Sequence, residues 1–358
     1  VRAASAARAG GWLVLLGTAI STIGLSWDIE WHVDVGPDTF FTLPHLFLYS
    51  GSAISGIASL AMVLLATSAR RAGRPWPRSA GGTGVRVFGG AFHAPLGYLI
   101  SGVGAASFML YGLMDLWWHS IYGFDAVLNT PSHVALFLSI TLTMVGAVAV
   151  FAAAGDQRWA RIGLLGATPI LIIFAPMPFN GLDQLPLPVD ATILGVMLCA
   201  PTLLLVGALL LGRGGAVWTA LSLGAIQALL WWFSPWAAHA YAAAVGLPLR
   251  EGLLPRPPQL PVSVPVLLIV AALVVEAARW LHRRRGVAAK PLLLAAGAVG
   301  GVVVGVSLPL QLGLASAQHQ VPVLAVAELA VFGLPLGLLA GYLGPRFAAM
   351  LAPSEEDR

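Results

Sequence analysis

Stretches of about twenty apolar residues recur from one end of the chain to the other, and no other feature limits the fold as much. Ten can be marked, at roughly 11–33, 43–68, 93–121, 132–154, 162–178, 190–212, 216–234, 263–281, 291–312 and 321–344. A helix needs about twenty apolar residues to cross the hydrocarbon core of a bilayer. Inside that core, only helices and closed barrels satisfy their own backbone groups. Period-two alternation is absent, so the expected fold is all-α: a polytopic membrane helix bundle. Composition agrees, with 9% charged residues against 58% hydrophobic ones, where soluble domains carry about a quarter charged. The net charge of +4 resides in arginine-rich loops with no basic tract interleaved with aromatics, so no nucleic-acid partner is expected. The only cysteine, Cys199, sits inside an apolar run, which leaves out disulfides and thiolate metal clusters within the chain.

Arginines set the expected orientation, because short loops rich in Lys and Arg stay cytoplasmic. Arg70, Arg71, Arg74, Arg78 and Arg86 follow span two, Arg158 and Arg161 follow span four, and Arg213 follows span six. His282, Arg283, Arg284, Arg285 and Lys290 follow span eight. All lie on one side if both termini are cytoplasmic, in a bacterial-type cell membrane. Arg2 and Arg8 precede the first apolar run, which reads as an uncleaved anchor. Tryptophans 27, 31, 117, 118, 231, 232 and 236 gather near the outer level, as an interfacial aromatic belt does.

Against this background a polar phrase occurs twice. Asp28-Ile-Glu-Trp-His32 ends span one, and Asp115-Leu-Trp-Trp-His119 ends span three. Each is followed by a second histidine at the start of the next span, His45 in Thr-Leu-Pro-His and His133 in Thr-Pro-Ser-His. Gly36 and Gly123, Asp38 and Asp125, and Thr42 and Thr130 occupy matching offsets. The repeat length is one pair of spans plus a loop, so both copies point the same way, expected to be outward. Residues i and i+4 share a helix face, so Asp28 projects with His32 and Asp115 with His119. A hairpin turn returns His45 or His133 to the same point. One carboxylate and two imidazoles suit copper, zinc or non-haem iron, whereas calcium and magnesium prefer all-oxygen shells.

The phrase DxxWH-x5-DTxFTxPH resembles the signature of the C subunit of the copper membrane monooxygenases, the family of particulate methane and ammonia monooxygenase. Asp38-Thr39-Phe40-Phe41-Thr42 and the TPSH at 130–133 carry most of the likeness. It covers about residues 11–154, which are read as a four-helix metal-binding region, and residues 155–350 as a six-helix membrane region of unassigned role. The resemblance implies one copper site at Asp28, His32 and His45. It implies a second, catalytic site at Asp115, His119 and His133, where Asp115 stands in place of the family's asparagine. It further implies a copper cofactor, further membrane subunits or further copies of the chain as partners beside the lipid bilayer, and activation of dioxygen toward a small apolar substrate. The residues alone leave two other functions open, copper acquisition or transfer without catalysis, and a non-haem iron or zinc protein. The seven methionines form no repeated ladder of soft ligands, which weighs against a copper permease.

Other polar residues are expected to matter less. His239 and His319 read as outer-loop histidines, Asp183 and Asp190 as solvated, and Glu328 as facing the bundle interior or a cavity.

Overall fold

A computed structural model describes residues 2–36, 38–123, 128–155, 157–253, 256–258, 260, 264–315 and 323–352. Among these residues are ten long helices: α1 (Arg2–Asp34), α2 (Leu43–Arg71), α3 (Leu96–Tyr122), α4 (Pro131–Ala153), α5 (Arg158–Phe174), α6 (Ala191–Leu211), α7 (Gly215–Val245), α8 (Leu268–Arg285), α9 (Ala289–Ala315) and α10 (Val323–Leu351). Nine are long and apolar enough to cross a membrane, and the chain is an integral membrane protein. The exception is α8, whose 18 residues end in Arg279, His282 and three successive arginines.

The boundaries differ from the sequence reading where local signals compete. Span three was expected from residue 93. Instead, β1 (Gly84–Val87) and β2 (Phe92–Pro95) form an antiparallel hairpin, with Arg86 opposite His93 and Val87 opposite Phe92, and α3 starts at Leu96. In β1 the valines are half-buried and Gly84 and Arg86 exposed, an alternation too short to stand out in an apolar chain. Span seven was expected to stop at 234, but α7 runs on through Pro235 to Val245 and ends at Gly246, φ 72°. Residues after the proline are mostly alanine, the best helix former, and a proline inside a membrane helix is tolerated when neighbours re-satisfy the backbone. His239 therefore lies on α7 and not in a loop.

That extension carries α7 across the end of α1. Trp27 meets Phe233 at 6.0 Å and Tyr241 at 5.8 Å, and Trp31 meets Tyr241 at 4.9 Å. Both tryptophans are buried, so they belong to a helix seam and not to the aromatic belt. Trp117, Trp232 and Trp236 are exposed, as belt residues are. Glu328 is exposed too, which corrects the expectation of an inward-facing side chain. It lies in the second turn of α10, within reach of the headgroups at the end of a span.

Glycines bring the helices close, as small residues do in membranes. The tightest seam joins α9 and α10. A Cβ on Gly301 would come within 2.0 Å of the Gly333 carbonyl oxygen, and one on Gly337 within 2.3 Å of the Gly297 oxygen. The chain's buried apolar residues form one main core that runs from Ala7 on α1 to Leu329 on α10.

Helices α1 to α4 are two consecutive hairpins, so the α1–α2 and α3–α4 turns lie at the same end of the bundle. The arginine-rich 70–86 segment lies at the other. With this turn end outward, Phe41→Cys (Phe41 is 72% exposed) is expected to react with an impermeant maleimide in intact cells. Arg74→Cys should not react, both in a Cys199→Ser background. Labelling of Arg74→Cys alone would invert the orientation.

Candidate metal centres

Two clusters form, and they contain every residue that the sequence proposed for them. Asp28, His32, Asp38 and His45 gather in one, Asp115, His119 and His133 in the other. Within each, one ligand atom per residue lies within 4.8 Å of all the others. Asp38 is the addition. Its repeat position was visible in the sequence, but it sits in a turn, where no helical spacing says which way a side chain points. Its repeat partner, Asp125, lies outside the described residues, as does His319.

Local chemistry places each histidine. Thr130 caps α4 by accepting from the backbone N–H of His133, and Pro131 takes the first helical position, where its missing N–H costs nothing. In α2, Thr42 precedes the helix and Pro44 lies in its first turn. The second histidine of each phrase thus becomes the third residue of its helix. At the other side of each turn, Gly36 (φ 105°) and Gly123 (φ 85°) end α1 and α3, in a backbone region that residues with a Cβ rarely adopt.

In the first cluster, His32 Nε2 lies 3.0 Å from Asp38 Oδ2 and 4.0 Å from Asp28 Oδ1. His45 Nε2 lies 3.1 Å from Asp28 Oδ1 and 3.2 Å from Asp38 Oδ2. In the second, Asp115 Oδ1 is 3.5 Å from His119 Nε2 and 3.6 Å from His133 Nε2. Four ligands placed tetrahedrally at the ~2.0–2.1 Å of a metal–imidazole bond stand ~3.3 Å apart. The clusters are therefore close to the size of a transition-metal shell.

Ring orientation sharpens the fit. His45 Nδ1 lies 3.0 Å from the Thr39 carbonyl oxygen, and His119 Nδ1 lies 2.8 Å from that of Gly123. A carbonyl only accepts, so each Nδ1 carries the proton. In the neutral ring Nε2 then presents a lone pair toward the carboxylates. Asp28 Oδ1, Asp38 Oδ2 and Asp115 Oδ1 are themselves buried, and with the proton on Nδ1 they face Nε2 atoms of His45 and His119 that cannot donate. Lone pairs converging on lone pairs repel unless a cation sits between them. This tethering of the remote ring nitrogen is also how metal-binding histidines are oriented. His133 differs in that its Nδ1 pairs with Thr130 Oγ1 at 2.9 Å. Ionised aspartates with neutral imidazoles give a charge of −2 at the first cluster and −1 at the second.

A proton can take the cation's place. Burial works to raise the pKa of Asp38, but the hydrogen bond with His32, the charge of His45 and a hydrogen bond from Thr42 outweigh it and hold the carboxyl below its usual value. Metal uptake, which requires neutral imidazoles, then releases protons.

Tyr49, one turn along α2 from His45, links the clusters. It lies 6.0 Å from the His45 ring and 6.1 Å from Phe108 of α3. Asp28 and Asp38 of the first cluster and Asp115 of the second are all near enough to act on it electrostatically. On the same faces of α2 and α3, a groove of about 590 Å³ runs away from the clusters. Ser52, Gly56, Gly102 and Ala105 are among its lining residues, and Phe88 and Phe92 of the hairpin flank its far end. Ile57, Leu60 and Met109 along its rim are exposed.

No family model, no curated protein and no solved structure matches this chain.

The remaining described candidates lie outside the two clusters. Asp190 caps α6, accepting from Ile193 N at 3.0 Å. Asp183 is exposed, and partial desolvation, followed by the nearby Asp190 charge, shifts its carboxyl upward. Glu276 of α8 accepts from the N–H groups of Gly214 and Ala216, both at 3.1 Å, at the start of α7. His239 bonds Asp34 at 2.7 Å.

Proposed function

We propose that the chain is a membrane copper protein, a monooxygenase-like subunit acting with dioxygen on a small apolar substrate drawn from the bilayer. The observation that carries the metal reading is the convergence of Nε2 lone pairs, on rings held by their Nδ1 atoms, with buried carboxylate oxygens. The sequence resemblance of residues 11–154 to the copper membrane monooxygenases favours copper over zinc or iron. The apolar groove beneath the clusters favours an oxygenase over an acquisition protein, since a delivery route for metal needs polar or soft ligands along it. Bound copper supplies one-electron redox chemistry with dioxygen.

The chain's own residues would divide the work. Four protein ligands, Asp28, His32, Asp38 and His45, would fill the first site, and among the described residues three, Asp115, His119 and His133, would hold the second. His119 is 5% exposed, so its ring is largely screened from water. Tyr49 lies on α2 between His45 and the groove residue Ser52, with Phe108 6.1 Å from its ring, and its bulk would limit the size of what passes. Helices α5–α10 supply packing that the C subunit of the family takes from partner subunits.

The test uses copper-loaded protein in liposomes with a quinol reductant, labelled dioxygen and a short alkane. Label is expected in an alcohol product, and Ala106→Trp, which narrows the groove at an exposed wall position, should lower the yield about tenfold, within the 10–200-fold that small steric changes in a pocket produce. Protein that binds copper, forms no labelled product and passes the metal to an acceptor chelator is an acquisition protein instead.

A further inference from the structure

Helix α1 carries two sets of acidic residues near its end. Asp28, with His32, points into the first metal cluster. Glu30 and Asp34 lie two residues further along and so face away from it, since each residue turns the helix by about 100°. Both are buried, and the partners that hold them come from the far half of the chain. Arg256 places one guanidinium nitrogen 3.0 Å from Glu30 Oε1 and 2.9 Å from Asp34 Oδ1. His239 of α7 contacts the other Asp34 oxygen at 2.7 Å. The backbone is tied as well, with Arg250 N donating to Asp34 O at 2.8 Å. The Arg250 side chain lies against Gly36, where an added Cβ would sit 2.5 Å from it.

We propose that Arg256 and His239 are positioning residues for the first metal cluster, and that clamping this end of α1 is a function of the region after α4. The proposal rests on the reading of that cluster as a metal site. The last turns of α1 carry Asp28 and His32, and the turn after them carries Asp38. A ligand set is selective only if its backbone cannot drift, and these charged groups restrain the back of the helix that carries it. Arginine suits the task because Nη2 carries two N–H groups, one for each carboxylate, while Nη1 donates to the Pro257 carbonyl oxygen and fixes the guanidinium plane, which a lysine ammonium does less well. The second cluster lies on α3 and α4, whereas the clamp's described contacts are all to α1 and Gly36, so it serves as an internal control.

The test measures copper affinity at each cluster separately, the first in a His119→Ala background and the second in a His32→Ala background. Arg256→Gln is expected to weaken the first cluster about 10–100-fold, the usual cost of losing an outer partner of a metal ligand. It should leave the second within twofold. Arg256→Lys should recover part of the loss, and His239→Gln, which removes one bond from a half-exposed side chain, should weaken the first cluster by a smaller factor. If Arg256→Gln does not fold, His239→Gln decides in the same way. Hydrogen exchange on metal-free protein gives a second readout, with faster exchange expected at residues 28–36 in Arg256→Gln. Equal weakening at both clusters, or unchanged affinity and exchange, overturns the proposal. If the wild type takes up no metal while exchange still quickens, the clamp stands and the metal reading fails.

Discussion

His119→Ala is expected to strip the second cluster of metal and abolish dioxygen-dependent activity, while the first cluster keeps its ion. Loss of an outer partner already costs about 10–100-fold in metal affinity, so loss of a direct ligand from a three-residue set should exceed 100-fold. Among the described residues the cluster holds only His119 and His133 beside Asp115, so no other described imidazole stands ready to substitute. His32→Ala is expected to act differently. It leaves Asp28, Asp38 and His45, still a three-ligand set, so the first cluster should weaken and open without emptying the second. Parallel measurements of metal content and product formation on the two variants check the assignment. Full activity in His119→Ala with none in His32→Ala would exchange the roles of the two sites.

The second large effect concerns the fold alone. Gly301→Val is expected to destabilise the protein by about 3 kcal/mol, the upper end of the range for overpacking. The obstruction is a backbone carbonyl, 2.0 Å from the new Cβ, and it can yield only if α9 and α10 separate. Gly224→Ala is the matched control, since a Cβ on Gly224 meets nothing within 4 Å, and alanine in a helix interior is favoured over glycine. Thermal unfolding in detergent should show a large drop for the first variant and none for the second. A Gly301→Val protein as stable as the wild type would mean that α9 and α10 do not pack as described.

These features differ in how far the sequence reveals them. Asp28 with His32 and Asp115 with His119 are legible because i, i+4 spacing on a helix fixes a shared face. His45 and His133 are legible because Thr and Pro just ahead of them begin helices and hold each histidine in the first turn. Asp38 escapes that logic, since its direction depends on Thr39, Thr42 and a glycine turn. Trp27 and Trp31 look like belt residues by composition, and only the passage of α7 beyond Pro235 buries them. That passage also turns His239 from a loop residue into a partner of Asp34, across 205 positions of sequence. Pairings at that range leave no local signal, which is why the clamp on α1 emerges only from the structure.

Metal analysis of the purified wild type, with paramagnetic resonance, tests the central claim most directly. After mild copper loading, the expected content is about two ions per chain, in two distinguishable environments. It should fall toward one in His119→Ala, with the second environment missing from the spectrum. Wild-type protein that is folded and retains no transition metal after loading would contradict the account, and the convergent histidines and aspartates would then have to be read as proton-holding pairs.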